Sequence, residues 1–318
     1  MKTFYRNCFF CLVCLISNVV HAQLEKVAET MKLLNKGLNP PLMFQDYING
    51  LEDAIAFLER IDSLQSAEYR MKVVCFAAKL YYQSKANRQD AGKVDAFVSL
   101  MVSLMQGDTS SQVRSEAARR LREVVPPELI DRHHSSILNA YKTHKNWEIL
   151  FLYASLPSCQ SETVVNLARS HKIESTMGTY GISAILARFG DKRATDELIA
   201  NAESIVEPGD MRLSALLDAL AFARSDKIKR FLVKGLRTED YITLADGSRI
   251  PQRNCHAKAL CIMNQFVEEF PVKNKYDFFT AHDLDRIEQW CAVKLGMSVP
   301  SAPHKEMLVV PSFHLEEK

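Results

Sequence analysis

Apolar residues recur at helical spacing along most of this chain, and short turn signals interrupt them at nearly constant intervals. In one window, Ile182, Ile185 and Phe189 stand at offsets 0, 3 and 7, which is the period of an amphipathic helix. Turn signals follow one another after 31, 33 and 35 residues, at Pro126-Pro127, Pro157-Ser158, Gly190-Asp191 and Ser225-Asp226. A helix pair cannot bury its apolar stripe alone, so we expect repeated pairs to stack on one another.

The composition favours helices over hairpin-rich β architectures. The chain has 11 glycines and 11 prolines in 318 residues, and this glycine content is about half of ordinary usage. Two local patterns also mark helix starts. Proline is tolerated in a first turn, so Pro126-Pro127 predicts the start of a helix, and Thr280 with Asp283 predicts a capping box. We therefore predict an all-α fold.

Two segments resemble HEAT repeats. Val113–Leu121 resembles the second helix of such a repeat, with Val-Arg, small alanines and a leucine in series. Gly181–Asp191, continued by Ala194 and Leu198, is similar to the HEAT-like series of alanine, leucine, glycine-aspartate and alanine. The resemblance implies an α-solenoid of antiparallel helix pairs.

The predicted organisation follows from how far this resemblance extends. HEAT-like repeats are expected over residues 107–296, after an N-terminal helical region at 23–106 in which no repeat aligns. The resemblance also implies that Arg114, the arginine after the valine, bonds to a neighbouring aspartate within the stack.

One stretch departs from the helical pattern. β-prone residues flank Ala245-Asp246-Gly247, and Asp-Gly between such runs is a hairpin signal. We predict a small β-hairpin near 241–250, within an insertion at 237–252. Insertions in solenoids often lie on the binding face, although a solvent loop without a role explains the pattern equally well. Residues 297–318 carry three prolines and are expected to form an extended tail.

The first 22 residues read as a secretory signal peptide. Lys2 and Arg6 give a positive start, and an apolar run of 13 residues extends from Cys8 to Val20. Cleavage after Ala22 would follow the rule of small residues at the cleavage site. A spanning helix needs about 20 apolar residues, so we expect cleavage rather than stable membrane insertion. The predicted location is periplasmic or extracellular.

Loss of the signal makes the chain electrically neutral. Two of the 40 basic residues lie in the signal, which leaves 38 basic residues against 38 acidic ones. Dedicated nucleic-acid binders usually have a net basic charge or a basic patch, so no nucleic-acid partner is expected. The sequence also lacks a nucleophile elbow, a P-loop, an H-E-x-x-H motif and a dinucleotide-binding glycine run. We therefore assign no catalytic residue, metal ligand or cofactor.

Five cysteines remain after signal cleavage, and the sequence leaves their state open. Their apolar helical contexts favour small buried side chains. Alternatively, Cys255 or Cys261 forms a disulfide with Cys291. Cys255 and Cys261 stand six residues apart, which places them on different faces of a helix. An odd number of cysteines leaves at least one thiol unpaired.

These observations favour a non-enzymatic scaffold that binds another protein with the concave face of a solenoid. The candidate binding residues are Arg120 on the HEAT-like segment, and Arg253 and His256 beside the insertion. The alternative is a HEAT-like enzyme of the lyase type, or a ligand or metal carrier with a site near 237–256.

Overall fold

A computed structural model describes the larger part of the chain. The described residues are 29–34, 36, 50–84, 90–173, 175–204, 211–238, 241–243, 249–251, 253, 256–257, 259–260, 271–272 and 280–298. The predicted signal peptide at 1–22 and residues 299–318 of the predicted tail lie outside them. Within this part the fold is essentially all-α. The chain divides between Cys159 and Gln160 into two compact units.

The helices of the first unit have 9 to 17 residues, apart from two shorter helical pieces. They are α1 (Gly50–Glu59), α2 (Ala67–Gln83), α3 (Ala91–Gly107), α4 (Ser111–Val124), α5 (Pro127–Ile130), a 3-10 turn (Asp131–His133), α6 (His134–His144) and α7 (Trp147–Ser155). Pro127 stands at the start of α5, which confirms the predicted helix start.

These helices pack as neighbouring pairs. Helix α1 packs against α2, α3 against α4, and α6 against α7. The first helices of the pairs, α1, α3 and α6, also touch in succession, and so do the second helices, α2, α4 and α7. Two layers of helices result, and this alternation is compatible with a solenoid-like helical repeat.

Aromatic side chains fill the space between the layers. The rings of Tyr81 and Phe97 stack at 4.6 Å between centroids, and those of Phe57 and Phe76 meet edge to face at 5.0 Å. All four residues are buried, and such aromatic pairs add about 0.5–1.5 kcal/mol beyond the burial of their area.

The second unit is also built from helices that pack as neighbouring pairs. Its helices are α8 (Ser161–Arg169), α9 (Thr176–Arg188), α10 (Lys192–Ser204), α11 (Met211–Ala223), α12 (Asp226–Gly235) and α13 (Ala281–Leu295). Helix α8 pairs with α9 and α10 with α11, while α9 touches α11 and α10 touches α12. Helix α13 packs on α12. Just after the end of α12, Arg237 Nε donates to Glu288 Oε1 of α13 at 2.9 Å.

Side-chain caps fix where several of these helices begin. Ser66, Asp90, Asn146, Ser175 and Ser225 each accept a backbone N–H of the first turn that follows. Each such cap stabilises a helix by roughly 1 kcal/mol.

Helix α13 is capped at both ends. Thr280 Oγ1 accepts from the Asp283 backbone N–H at 3.1 Å, and the Asp283 carboxylate accepts from the Thr280 N–H at 3.0 Å. This reciprocal pair confirms the predicted capping box. Gly296 ends the helix with a φ of 62°, a left-handed conformation that favours glycine.

Two short strands follow α12. β1 (Tyr241–Thr243) and β2 (Arg249–Pro251) pair antiparallel, with Ile242 opposite Ile250. The Asp246-Gly247 turn predicted between them lies outside the described residues. Among the helices that the structure describes, none combines the length and the apolar composition needed to cross a bilayer.

Candidate functional site

Arg120 lies in an ion-pair network on α4. Its Nε donates to Glu116 Oε1 at 2.8 Å, and its Nη1 donates to Glu123 Oε2 at 2.8 Å. Arg119 donates through Nη2 to both oxygens of Glu116, at 2.8 and 2.7 Å. These partners stand three or four residues apart, so the helix itself brings them together.

Cys75 connects this network to α2. Its thiol donates to Glu116 Oε1 at 2.7 Å, and Arg120 Nη2 lies 3.7 Å from its sulfur. We call Cys75, Glu116, Arg119, Arg120 and Glu123 the second-helix face, because all five lie on the second helices of successive pairs.

The environment keeps the Cys75 sulfur protonated. Burial, followed by the hydrogen bond to Glu116, raises the pKa of Cys75 to about 11. A thiolate is the nucleophilic form of cysteine, so at neutral pH this side chain acts as a hydrogen-bond donor. Within the described residues, no three His, Cys, Asp or Glu side chains cluster closely enough to hold a metal ion.

Glu116 and Arg120 of the second-helix face remain charged at neutral pH. Burial opposes ionisation of Glu116, but the hydrogen bonds from Cys75 and Arg119 prevail and lower its pKa. Burial likewise opposes the charge on Arg120, while the carboxylates of Glu123 and Glu116 raise its pKa. The face therefore presents paired charges of both signs.

Beside this face, Glu148 of α7 is a buried carboxylate. Burial raises its pKa, and the charge of Arg122 only partly offsets that effect. Arg122 Nη2 lies 3.4 Å from Glu148 Oε2, and its guanidinium carbon stands 4.3 Å from the centre of the Phe151 ring. These contacts tie α4 to α7 and hold the Arg122 guanidinium in place.

The other candidate binding residues belong to the second unit. Arg253 is half-buried, whereas His256 is only 3% exposed. The His256 ring lies 5.5 Å from that of Phe231 and donates to the Leu232 backbone carbonyl, while its Nδ1 has no partner. Burial lowers the pKa of His256 to about 4. His256 is thus packed as a neutral core residue, and its binding role stays a prediction.

The predicted disulfide also stays a prediction. Cys291 is buried in α13, where burial raises the pKa of its thiol to about 12. Cys255 and Cys261 lie outside the described residues.

A shallow cavity of about 340 Å³ lies where α10 and α12 begin. Lys192, Thr195 and Ser225 line it, and an ion pair of 2.6 Å between Lys227 and Asp196 borders it. Thr195 Oγ1 donates to the Asp191 carbonyl, and Ser225 caps α12. The hydroxyl groups of Thr195 and Ser225 are therefore engaged within the fold.

Sequence reasoning missed the contacts between helix pairs. The spacing of Glu116, Arg119 and Arg120 predicts ion pairs along α4, but Cys75 stands 41 residues from Glu116. Arg114 does bond to an aspartate, although to the backbone carbonyl of Asp108 at 2.5 Å rather than to its carboxylate.

Searches against protein-family models, curated proteins and solved structures found no significant match to this chain.

Proposed function

We propose that this protein is an exported, non-enzymatic scaffold that binds another protein along the second-helix face of a HEAT-like solenoid. The observation that carries the proposal is the alternation of contacts in the first unit, in which first helices touch first helices and second helices touch second helices. Stacking of this kind extends one continuous surface from pair to pair.

The chemistry of the second-helix face agrees with a binding role. Arg119 keeps 39% of its side chain exposed and Glu123 keeps 37%, so a partner has access to both. Because the face carries both signs of charge, we expect it to meet a partner surface of alternating charge. Fixed ion pairs favour specificity and register over raw affinity.

The experiment begins with chemical crosslinking and affinity capture of the mature protein from its native envelope or medium, followed by identification of the partner. The affinity of the purified partner is then measured for Arg119→Glu and for the control Arg193→Glu. Arg193 of α10 is a matched control. It pairs with Glu197 four residues further on, as Arg119 pairs with Glu123, and its side chain is 89% exposed.

We expect Arg119→Glu to weaken binding by about tenfold or more, which corresponds to about 1.4 kcal/mol, and Arg193→Glu to leave it unchanged. Circular dichroism of both variants checks that the helices persist. The proposal is wrong if no partner is recovered, if the two variants bind alike, or if the purified protein turns over members of a substrate panel.

A further inference from the structure

Leu64 is displayed to solvent in the turn between α1 and α2. Its side chain is 91% exposed, the highest value for a large apolar residue in the described part of the chain. Single exposed leucines are common on protein surfaces, so the exposure alone indicates nothing. The way in which the fold holds this turn distinguishes it from an ordinary loop tip.

Arg70 of α2 anchors the turn from the protein interior. Its Nη1 donates to the backbone carbonyls of Ser63 and Gln65, the two neighbours of Leu64 in the chain. The same guanidinium donates to both carboxylate oxygens of Asp108, each at 2.8 Å. Both partners of this ion pair are only 4% exposed, so the support under Leu64 is itself fixed.

Hydrogen bonds within the turn also hold its backbone. The Leu64 N–H donates to Asp62 Oδ1 at 3.0 Å, and the Asp62 N–H donates to Gln65 Oε1 at 3.0 Å. The Gln65 N–H donates to the Asp62 carbonyl at 3.0 Å. Leu64 is therefore presented on a backbone that is held in one conformation, and such preorganisation reduces the entropic cost of binding.

The charges around the turn indicate what kind of surface it fits. Glu59, Asp62 and Glu68 are exposed carboxylates within five residues of Leu64. Arg60 is the one basic side chain of that span, and Lys72 pairs with Glu68 at 2.7 Å, so the turn keeps a net negative charge. Arg70 adds no exposed positive charge, because it is buried against Asp108. An acidic surround disfavours an anionic lipid surface and complements an apolar pocket with a basic rim.

We propose that the Leu64 turn is a preformed docking element that inserts its leucine into an apolar pocket on another protein, where lysines or arginines line the rim. The proposal deepens the proposed function, since it also requires a protein partner. It relies on residues outside the second-helix face.

The test is site-specific photocrosslinking in the cell that exports the protein. A benzophenone amino acid replaces Leu64 in the full chain, and a second preparation carries it at Leu129 of α5, which is 40% exposed and is the other exposed leucine among the described residues of the first unit. Crosslinked peptides are identified by mass spectrometry. The affinity of the purified partner is then measured for the wild type, Leu64→Ser, Leu64→Met and Arg119→Glu.

We expect an adduct from position 64, and none from position 129, with one identified protein at an apolar pocket flanked by lysines or arginines. Leu64→Ser should weaken binding roughly 10- to 100-fold, as expected for loss of one buried leucine. Leu64→Met should bind within about threefold of the wild type, since it keeps volume and apolarity. The affinity should also fall as salt rises, since a basic rim faces the carboxylates.

Several outcomes overturn the proposal. They are an adduct with a second copy of this chain, an adduct with lipid, no adduct at position 64, or an identified partner whose affinity is the same for Leu64→Ser and the wild type. In the last case the proposed function survives if Arg119→Glu still weakens binding, so the two failures are distinguishable.

Discussion

Asp108 connects α2, the start of α4 and the turn before α4, through its bonds to Arg70, Arg114 and Ser110. Its carboxylate accepts from Arg70 and from the Ser110 backbone N–H, and its carbonyl accepts from Arg114. The HEAT resemblance led us to expect an arginine-aspartate bond at Arg114. Arg70 takes the carboxylate instead, from 38 residues earlier in the chain, in a region where no repeat aligns.

Replacing Asp108 by asparagine tests how much the ion pair between Arg70 and Asp108 contributes to the free energy of unfolding. The substitution keeps the shape of the side chain but leaves the buried Arg70 charge without its counterion. We expect the free energy of unfolding to fall by about 3 kcal/mol, because breaking a buried pair strands a charge. Urea denaturation followed by circular dichroism measures the change.

The matched control is Asp196→Asn, which breaks the exposed pair with Lys227. Both of its side chains are more than half exposed, so the expected loss is below about 1 kcal/mol. Equal losses for the two variants would contradict a special role of the buried pair.

His256 predicts an acid sensitivity of the fold. Its pKa of about 4 lies below its ordinary value of 6.5, so the unfolded chain binds a proton before the folded chain does. The contribution of His256 to stability is therefore fully present above pH 6.5 and is lost as pH falls toward 4. Within that window the slope approaches about 1.4 kcal/mol per pH unit.

Urea denaturation of the wild type and of His256→Gln across pH 4 to 7 checks this expectation. The variant cannot titrate at this position, so its stability should fall less steeply with acid. Parallel pH profiles would show that the imidazole is not buried as a neutral group.

At the scale of elements, α12 depends on a glycine in its last turn. A side chain on Gly235 would overlap the imidazole of His256, and His256 is too buried to move aside. Alanine usually stabilises a helix relative to glycine, but here the overlap should prevail, with a loss of about 1–3 kcal/mol.

Thermal unfolding of Gly235→Ala against Gly107→Ala measures this effect. Gly107 ends α3, and a Cβ there meets no atom within 4 Å, so its replacement should be neutral or stabilising. The double variant Gly235→Ala with His256→Ala should lose less than the sum of the single changes. Additive losses would mean that the two residues do not touch.

The sequence predicted helices better than it predicted their stacking. The apolar stripe at Ile182 and Ile185 lies in α9, with both residues buried, because a 3.6-residue period is a local property. Of the helices α1 to α4, only α4 was recognised as part of a repeat, because no repeat aligns in residues 23–106. Helices α2 and α3 have 17 residues, against 13 in α9, α10 and α11. Contacts there join residues 38 to 41 apart, so a search near 35 residues misses them.

The candidate site was predictable only in part, for a related reason. Arg120 and its glutamates share one helix, so their spacing in the sequence reveals the ion pairs. Burial of His256 depends on α12, whose Phe231 and Gly235 pack against the ring. A local pattern around Cys255-His256 carries no information about that contact, and so the sequence favoured an accessible histidine.

At the scale of the whole molecule, the packing of helices that are near one another in the chain supports the proposed scaffold function. In each unit the helices contact others that stand one to three places further along the chain, so each pair adds surface without rearranging the pairs before it. A scaffold built in this way can bind a partner protein through its surface shape and local ion pairs, without a net charge on the chain. The neutral chain expected after signal cleavage agrees with a partner recognised by shape and paired charges.

Export is the prediction on which the identity of the partner depends, because the compartment decides which proteins the second-helix face and the Leu64 turn can meet. We expect the native protein to begin at Gln23, or at the cyclised form of this glutamine, since Ala22 supplies the small residue at the cleavage site. Mass spectrometry of the N-terminal peptide from the native source measures this. Ala22→Asp should block cleavage, because the peptidase requires a small side chain there, and the intact signal should then be recovered. A wild-type protein that keeps Met1 or Lys2 would contradict export by this route, and the partner should then be sought inside the cell.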